Sequence, residues 1–205
     1  MTAFGFEVVH LARHGQTEWN LQGRRQGRLD SPLTAQGVRQ VRRNAELLRH
    51  EPVDALFASP LGRAGASARV FATALGLPVR VLDDLSEVDH GAWSGLTAAE
   101  VEARWPGEIS ARAGDTYSYR FPGGESYADA DARAGRVLAG IAREGVRRPL
   151  LVSHEMVGRM LLKNLAGLGC DEALKLDHPS DVVYRVGASG RIDRLTPSDL
   201  AGGSS

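Results

Sequence analysis

Short apolar runs alternate with helix-periodic segments along most of this chain, and that alternation restricts its fold more than any other feature. The runs at 4–11, 53–58, 77–82 and 149–152 are rich in Val, Leu, Phe and Ala and lack a three-to-four-residue period, so they predict buried strands. Between them, helices are expected over 35–49, from near Leu61, over 97–105 and 127–143, and on a face made by Met156, Val157, Met160, Leu161 and Leu165. Thr34 is placed to cap the first, whose Val38, Val41, Ala45 and Leu48 share one face. Ser59-Pro60 reads as the cap of the second, Thr97 with Glu100 has capping-box spacing, and Pro106 should end that short helix. Residues 181–187 and 191–195 read as a closing hairpin. The expectation is α/β: one three-layer α/β/α sandwich with a mainly parallel central sheet. It forms a single domain over 1–198, with an excursion at about 87–121 and a frayed tail over 199–205.

A chain of 205 residues, 42% hydrophobic, can bury one substantial core. Its 25 basic and 25 acidic side chains cancel, so nothing global recommends nucleic acid or an anionic membrane as partner. Lys163 and Lys175 are the only lysines, so the positive charge sits almost wholly on guanidinium groups suited to planar oxyanions; a compositional bias would give the same imbalance. With Cys170 alone, no intramolecular disulfide can form and a thiolate zinc site is not expected. There is no signal-like N-terminus and no apolar run long enough for a membrane span, so a cytoplasmic location is the expectation.

Chemistry concentrates where strands end. The first strand runs into Arg13-His14-Gly15, followed by Thr17 and Asn20: a cation, an imidazole, a permissive turn and short polar donors where an open α/β sheet presents its ligand loops. Alone, this stretch is equally what a satisfied loop looks like. Arg63 falls in the first turn of the next helix, where free backbone donors favour an anion. The last parallel strand ends in Ser153-His154-Glu155 and repeats the placement of His14. Between 85 and 95 the texture is irregular and mixes Glu87, Asp89, His90 and Trp93 with glycines. Either carboxylate could donate a proton, since repulsion from a phosphate dianion favours the protonated form; Trp93 reads as packing. Arg24, Arg25 and Arg28 read as a solvated basic rim. Residues 107–122 read as irregular, a lid or substrate-contacting loop carrying Tyr117, Tyr119 and Phe121, and Cys170 as part of a connector.

Taken in order, Leu11 to Asn20, Ser59 to Ala64, Glu87 to Gly95, Pro122 to Ser126 and Val152 to His154 resemble the histidine phosphatase superfamily, within its phosphoglycerate-mutase-like branch. The resemblance covers residues 8 to about 187. It implies that His14 is a nucleophile forming a phosphohistidine, that Arg13, Arg63, His154 and Asn20 hold the phosphoryl oxygens, and that Glu87 is the acid and base. It implies no cofactor and no metal. Arg24, Gln26, Gly27 and Glu155 are expected at the rim or in specificity. Gln16 fits a variable position and Ser67 replaces a frequent Thr. Glu155 departs from the small residue usual after the second histidine, and pairing with an arginine or pointing away is expected ahead of narrowing specificity.

The function expected is metal-independent hydrolysis of a small phosphorylated metabolite. A 2,3-bisphosphoglycerate-dependent phosphoglycerate mutase is the alternative, because the basic Arg24 to Arg28 loop suits a bisphosphorylated ligand; the short interval before Pro122 to Ser126 favours the phosphatase. A non-catalytic phospholigand-binding protein is the third reading, and the retention of both His14 and Glu87 argues against it. A homodimer is left open.

Overall fold

In the computed structural model, which describes residues 4–196, six strands form one sheet in the order β3-β2-β4-β1-β5-β6. They are β1 (Val8–Arg13), β2 (Ala55–Ala58), β3 (Val79–Val81), β4 (Pro149–Ser153), β5 (Val183–Gly187) and β6 (Ile192–Leu195). The first four run parallel, while β5 pairs antiparallel with both β1 and β6. This is the mainly parallel α/β sheet that the alternating pattern predicts.

Eight helices accompany the sheet: α1 (Glu18–Leu21), α2 (Ala35–Leu48), α3 (Gly62–Leu75), α4 (Ala98–Arg104), α5 (Glu108–Gly114), α6 (Tyr127–Arg143), α7 (Glu155–Ala166) and α8 (Cys170–Lys175). Side chains alternate across each buried strand. Ala12, Leu56, Ala58, Leu150 and Val152 face a core completed by Val41, Ala45 and Leu48 of α2 and Ala68 and Phe71 of α3. Leu11, Phe57 and Leu151 face the opposite way, into a larger core with Leu138 and Ile141 of α6 and Met160 and Leu161 of α7. Two helical layers thus cover one sheet.

Several boundaries differ from those expected. The first strand starts at Val8 rather than residue 4, because Gly5 turns the chain at φ 77° and Phe4 and Phe6 pack on one another outside the ladder. Ser59-Pro60 does not cap α3: its N-cap, Leu61, makes no side-chain bond, and Asp30 Oδ1 accepts from the Arg63 amide at 3.2 Å instead. The free helix start predicted for an anion is thus filled by the protein's own carboxylate. Residues 107–122 are not wholly irregular, since they contain α5; it starts on a left-handed Gly107 without a side-chain cap and has no buried residue, so no apolar stripe announced it. Cys170 opens α8 rather than lying in a connector. Thr34, Thr97 and Ser126 cap α2, α4 and α6 through their side chains. The tail expected at 199–205 lies outside the described residues.

Candidate active site

Because β1 and β4 pair in parallel with Arg13 opposite Ser153, the two histidine-bearing strand ends emerge side by side. The His14 amide donates to the Ser153 carbonyl at 3.0 Å, and the two imidazole centroids lie 5.1 Å apart. Gly15 permits the next close approach. A Cβ there would collide with the Gly37 carbonyl in the first turn of α2, and one on Gly37 would strike the Gln16 backbone, so both positions require glycine for this loop to seat on α2. Ser67 Oγ accepts from the Gly15 amide at 3.2 Å and donates to the Arg63 carbonyl at 2.9 Å, tying the loop to α3.

His14 is almost wholly buried. Its Nδ1 donates to the Gly15 carbonyl at 2.8 Å, which leaves Nε2 unprotonated, and its lone pair accepts from Arg63 Nε at 3.2 Å. Burial first, then the charges of Arg13 and Arg63, hold the His14 pKa well below its ordinary value, so the ring is neutral at pH 7. His154 is neutral for like reasons, burial first and then Arg63 and His14. Its Nε2 lies 2.7 Å from Ser59 Oγ, while Nδ1 is buried without a partner.

The arginines at this end are fixed by the protein. Arg63 donates through Nη1 to the Leu29 carbonyl and Asp30, and through Nη2 to the Gly27 carbonyl at 2.8 Å. Arg13 Nη1 donates to the His178 carbonyl at 3.1 Å and pairs with Glu155 Oε2 at 3.0 Å. Glu155 also pairs with Arg159 at 2.6 Å, so the departure noted in the sequence is an arginine-bridging carboxylate. Asn20 Oδ1 accepts from the Thr17 amide and hydroxyl, which leaves its Nδ2 as a donor.

A cavity of about 210 Å³ opens over these groups, lined by Arg13, His14, Asn20, Arg63, Glu87 and Glu155, with Arg24, Arg25, Gln26, Gly27, His90, Tyr127 and Met156. His154 lies buried beside His14 and is not part of the lining. Glu87 sits at the start of α7, accepting from the Val88, Val157 and Met156 amides at 2.9, 3.3 and 3.3 Å. A helix N-terminus favours a carboxylate there. Asp89 instead accepts from the Gly91 amide and does not reach the cavity.

Not every expected contributor is free or at the cavity. Arg24 lines the cavity but is occupied by Glu100 and the Gly95 carbonyl, and Arg28 lies outside it, paired with Glu125. Tyr117 and Tyr119 donate to Asp131 and Glu108, and Phe121 is buried against Trp93 at 5.3 Å. None of these three aromatics lines the cavity, and all three pack within the excursion. Conversely, the sequence reading overlooked Arg133 and Ser59. Arg133, buried on α6, donates to the Asp84 and Ser86 carbonyls at 2.6 and 3.0 Å and pairs with Glu125, fixing the strap that carries Glu87. Ser59 could have been found, because it follows β2 as His154 follows the neighbouring β4. Nothing in the pattern of α6 marked Arg133. Among the described residues, no group of three or more His, Cys, Asp or Glu side chains could hold a metal ion, and no helix is long and apolar enough to cross a membrane.

Comparisons with known proteins agree with this geometry. Residues 9–193 match the family model of the histidine phosphatase superfamily (branch 1). Phosphoserine phosphatase 1 of Hydrogenobacter thermophilus is 34% identical over 172 residues, covering 80% of this chain and 82% of that protein. A probable phosphoglycerate mutase of an Enterobacter species is 36% identical over 162 residues, 78% of this chain and 75% of that one. Among solved structures, a mycobacterial glucosyl-3-phosphoglycerate phosphatase superposes with a TM-score of 0.82 at 28% identity, covering 93% of this chain and 99% of the other. A neutral histidine between arginines at the end of a parallel strand, in a chain matched over nearly its whole length, places this protein in branch 1 of the histidine phosphatase superfamily.

Proposed function

We propose that this chain hydrolyses a small phosphomonoester without a metal, through a phosphohistidine on His14. The observation that carries the reading is the bond from His14 Nδ1 to the Gly15 carbonyl, which fixes the tautomer and presents the Nε2 lone pair beneath a cavity that Glu87 also lines.

In the first step Nε2 attacks phosphorus, an N–P bond forms, and the bond from phosphorus to the ester oxygen breaks. Glu87 in its protonated form gives its proton to the departing alkoxide. In the second step water attacks phosphorus, Glu87 takes the proton of that water, and the N–P bond breaks to release phosphate and a neutral imidazole. Arg63 Nε stands at Nε2, where the phosphoryl group arrives, and Arg13 retains Nε and Nη2 beyond the Nη1 held by Glu155. These guanidinium forks and the Asn20 amide supply donors for the equatorial oxygens. His154 is the remaining donor in this proposal, its ring centroid 5.1 Å from that of His14.

The mutase reading rested on a basic 24–28 loop, and two of those cations are tied to the protein's own acids, Arg24 to Glu100 and Arg28 to Glu125. The deciding assay measures phosphate release from a panel of phosphomonoesters and, in parallel, interconversion of 3- and 2-phosphoglycerate with a bisphosphate primer. Phosphate release with negligible interconversion is expected. Primer-dependent interconversion with little hydrolysis would make the chain a mutase.

A further inference from the structure

We propose that His178 is a positioning residue for the phosphoryl transfer: its ring, seated against Gly158, fixes the backbone carbonyl that aims Arg13 into the cavity. This rests on the phosphatase reading above and adds to it a residue that touches neither substrate nor reacting atoms.

Arg13 lines the cavity, yet among the described residues its guanidinium is held through Nη1 alone, by the His178 carbonyl at 3.1 Å and by Glu155 Oε2 at 3.0 Å. Glu155 is a side chain 35% exposed that also pairs with Arg159, so it cannot by itself fix a direction. The carbonyl can, provided its own backbone is fixed. It belongs to the connector between α8 and β5, which has no ladder or helix of its own. Side chains hold this segment instead. The Tyr184 hydroxyl donates to the Asp177 carbonyl at 3.0 Å and to its carboxylate at 2.6 Å, and Arg159 Nη1 donates to the Leu174 carbonyl at 2.9 Å.

The anchor nearest Arg13 is the His178 ring, which is 1% exposed. Its Nδ1 lies 3.2 Å from the His154 carbonyl, which can only accept, so Nδ1 is the donor. Burial first, then Arg13, push its pKa down to about 3, and the ring is a neutral one with that single N–H. Gly158 of α7 makes the room. A Cβ there would stand 2.0 Å from His178 Nδ1 and 2.2 Å from Cε1, so this helical position requires glycine for space. Glycine inside a helix is less favourable than alanine, and here the space it leaves is taken by the ring. One residue therefore grips the start of α7 through its side chain and Arg13 through its carbonyl. Donors to a transferring phosphoryl group work only in register, and a misplacement of about 1 Å can cost up to about a hundredfold.

The test is a double-mutant cycle on hydrolysis of p-nitrophenyl phosphate, with inhibition by inorganic phosphate read in parallel. His178→Ala should lower kcat by about tenfold or more and weaken phosphate inhibition severalfold. Gly158→Ala, which displaces the ring without deleting a polar group, should reproduce both losses, and His178→Asn, which keeps a short donor, should recover part of them. In an Arg13→Ala background the same His178 and Gly158 changes should cost less than about twofold, because they act through Arg13. A merely structural role would lower the unfolding temperature and leave kcat and phosphate inhibition of the folded variants unchanged. That result, or losses of equal size with and without Arg13, would overturn the proposal; if His178→Ala does not fold, Gly158→Ala and His178→Asn decide it by the same criteria. The phosphatase reading is scored separately by whether phosphate release depends on His14. Should it fail, inorganic phosphate titrated onto the wild type, Arg13→Ala, Gly158→Ala and the double variant still shows whether the His178 seat acts through Arg13.

Discussion

Two arginines that line the cavity are held on opposite terms. Arg63 has a partner at each nitrogen: His14 at Nε, the Leu29 carbonyl and Asp30 at Nη1, and the Gly27 carbonyl at Nη2. Arg25 makes no side-chain hydrogen bond or ion pair among the described residues, and its guanidinium lies 5.4 Å from the Trp93 ring centroid. Arg63 is thus held in one geometry before anything binds, as transition-state stabilisation requires. The guanidinium beside the nucleophile is fixed by hydrogen bonds, and the one against the excursion by packing alone.

The sharpest way to break this comparison is to remove the ring to which Arg63 donates. His14→Ala should lower phosphate release by about four orders of magnitude, given how catalytic units respond to loss of a nucleophile. No acid-labile phosphoenzyme should be trapped by rapid quench. Turnover within tenfold of wild type would show that the ordered donors serve binding alone.

Glu87→Gln comes next. It keeps acceptor oxygen for the α7 amides but cannot exchange a proton, so turnover of alkyl phosphates should fall by about 10²- to 10³-fold. Hydrolysis of p-nitrophenyl phosphate, whose leaving group needs no proton, should suffer less in its first step. Equal loss on both substrates would mean that Glu87 orders the α7 start and does no proton transfer.

The contrast also explains what the sequence revealed. His14 and His154 were legible because each follows a short apolar run, and parallel pairing of such runs brings their ends together without further information. The caps Thr34 and Thr97 were legible because they act within three residues of themselves. The fates of Arg24, Arg25 and Arg28 were not. Neighbours in sequence, they meet Glu100, Trp93 and Glu125, 76, 68 and 97 residues on in the chain, and only the folded excursion decides which cation meets an acid and which a ring. Arg133 was hidden for the same reason, since its carbonyl partners lie on a strap nearly fifty residues away.

The buried histidines add a stability effect. His14, His90, His154 and His178 all have pKa values depressed by burial, His90 and His178 to about 3. In the unfolded chain each regains about 6.5. Below that value the unfolded state binds protons the native state refuses, so stability is full above about pH 6.5 and declines as pH falls toward the native values. Each such histidine should contribute a slope of about 1.4 kcal/mol per pH unit within that window. Urea unfolding from pH 7 to pH 4.5 checks this, and His90→Phe should remove one histidine's share. A flat profile would mean that these rings accept protons in the native state.

The smallest expected effect belongs to Glu155, which lines the cavity between two arginine partners. Its Oε2 holds Arg13 Nη1 and its Oε1 holds Arg159, so the carboxylate both orients the phosphate-facing fork and cancels part of its charge. The two actions oppose each other in binding and separate in kinetics. Glu155→Gln keeps the shape and removes the charge, so inorganic phosphate should bind severalfold tighter as a competitive inhibitor, because Arg13 no longer shares its field with an acid. The same change loosens the fork, and kcat should fall by about threefold, since a donor that must be recaptured stabilises the transition state less. Glu155→Asp should restore the charge but not the reach to both arginines, returning phosphate affinity toward wild type while kcat stays low. If phosphate affinity is unchanged in Glu155→Gln, Arg13 feels no competition from Glu155, and the acid belongs to the scaffold of α7 rather than to the anion-binding end of the cavity.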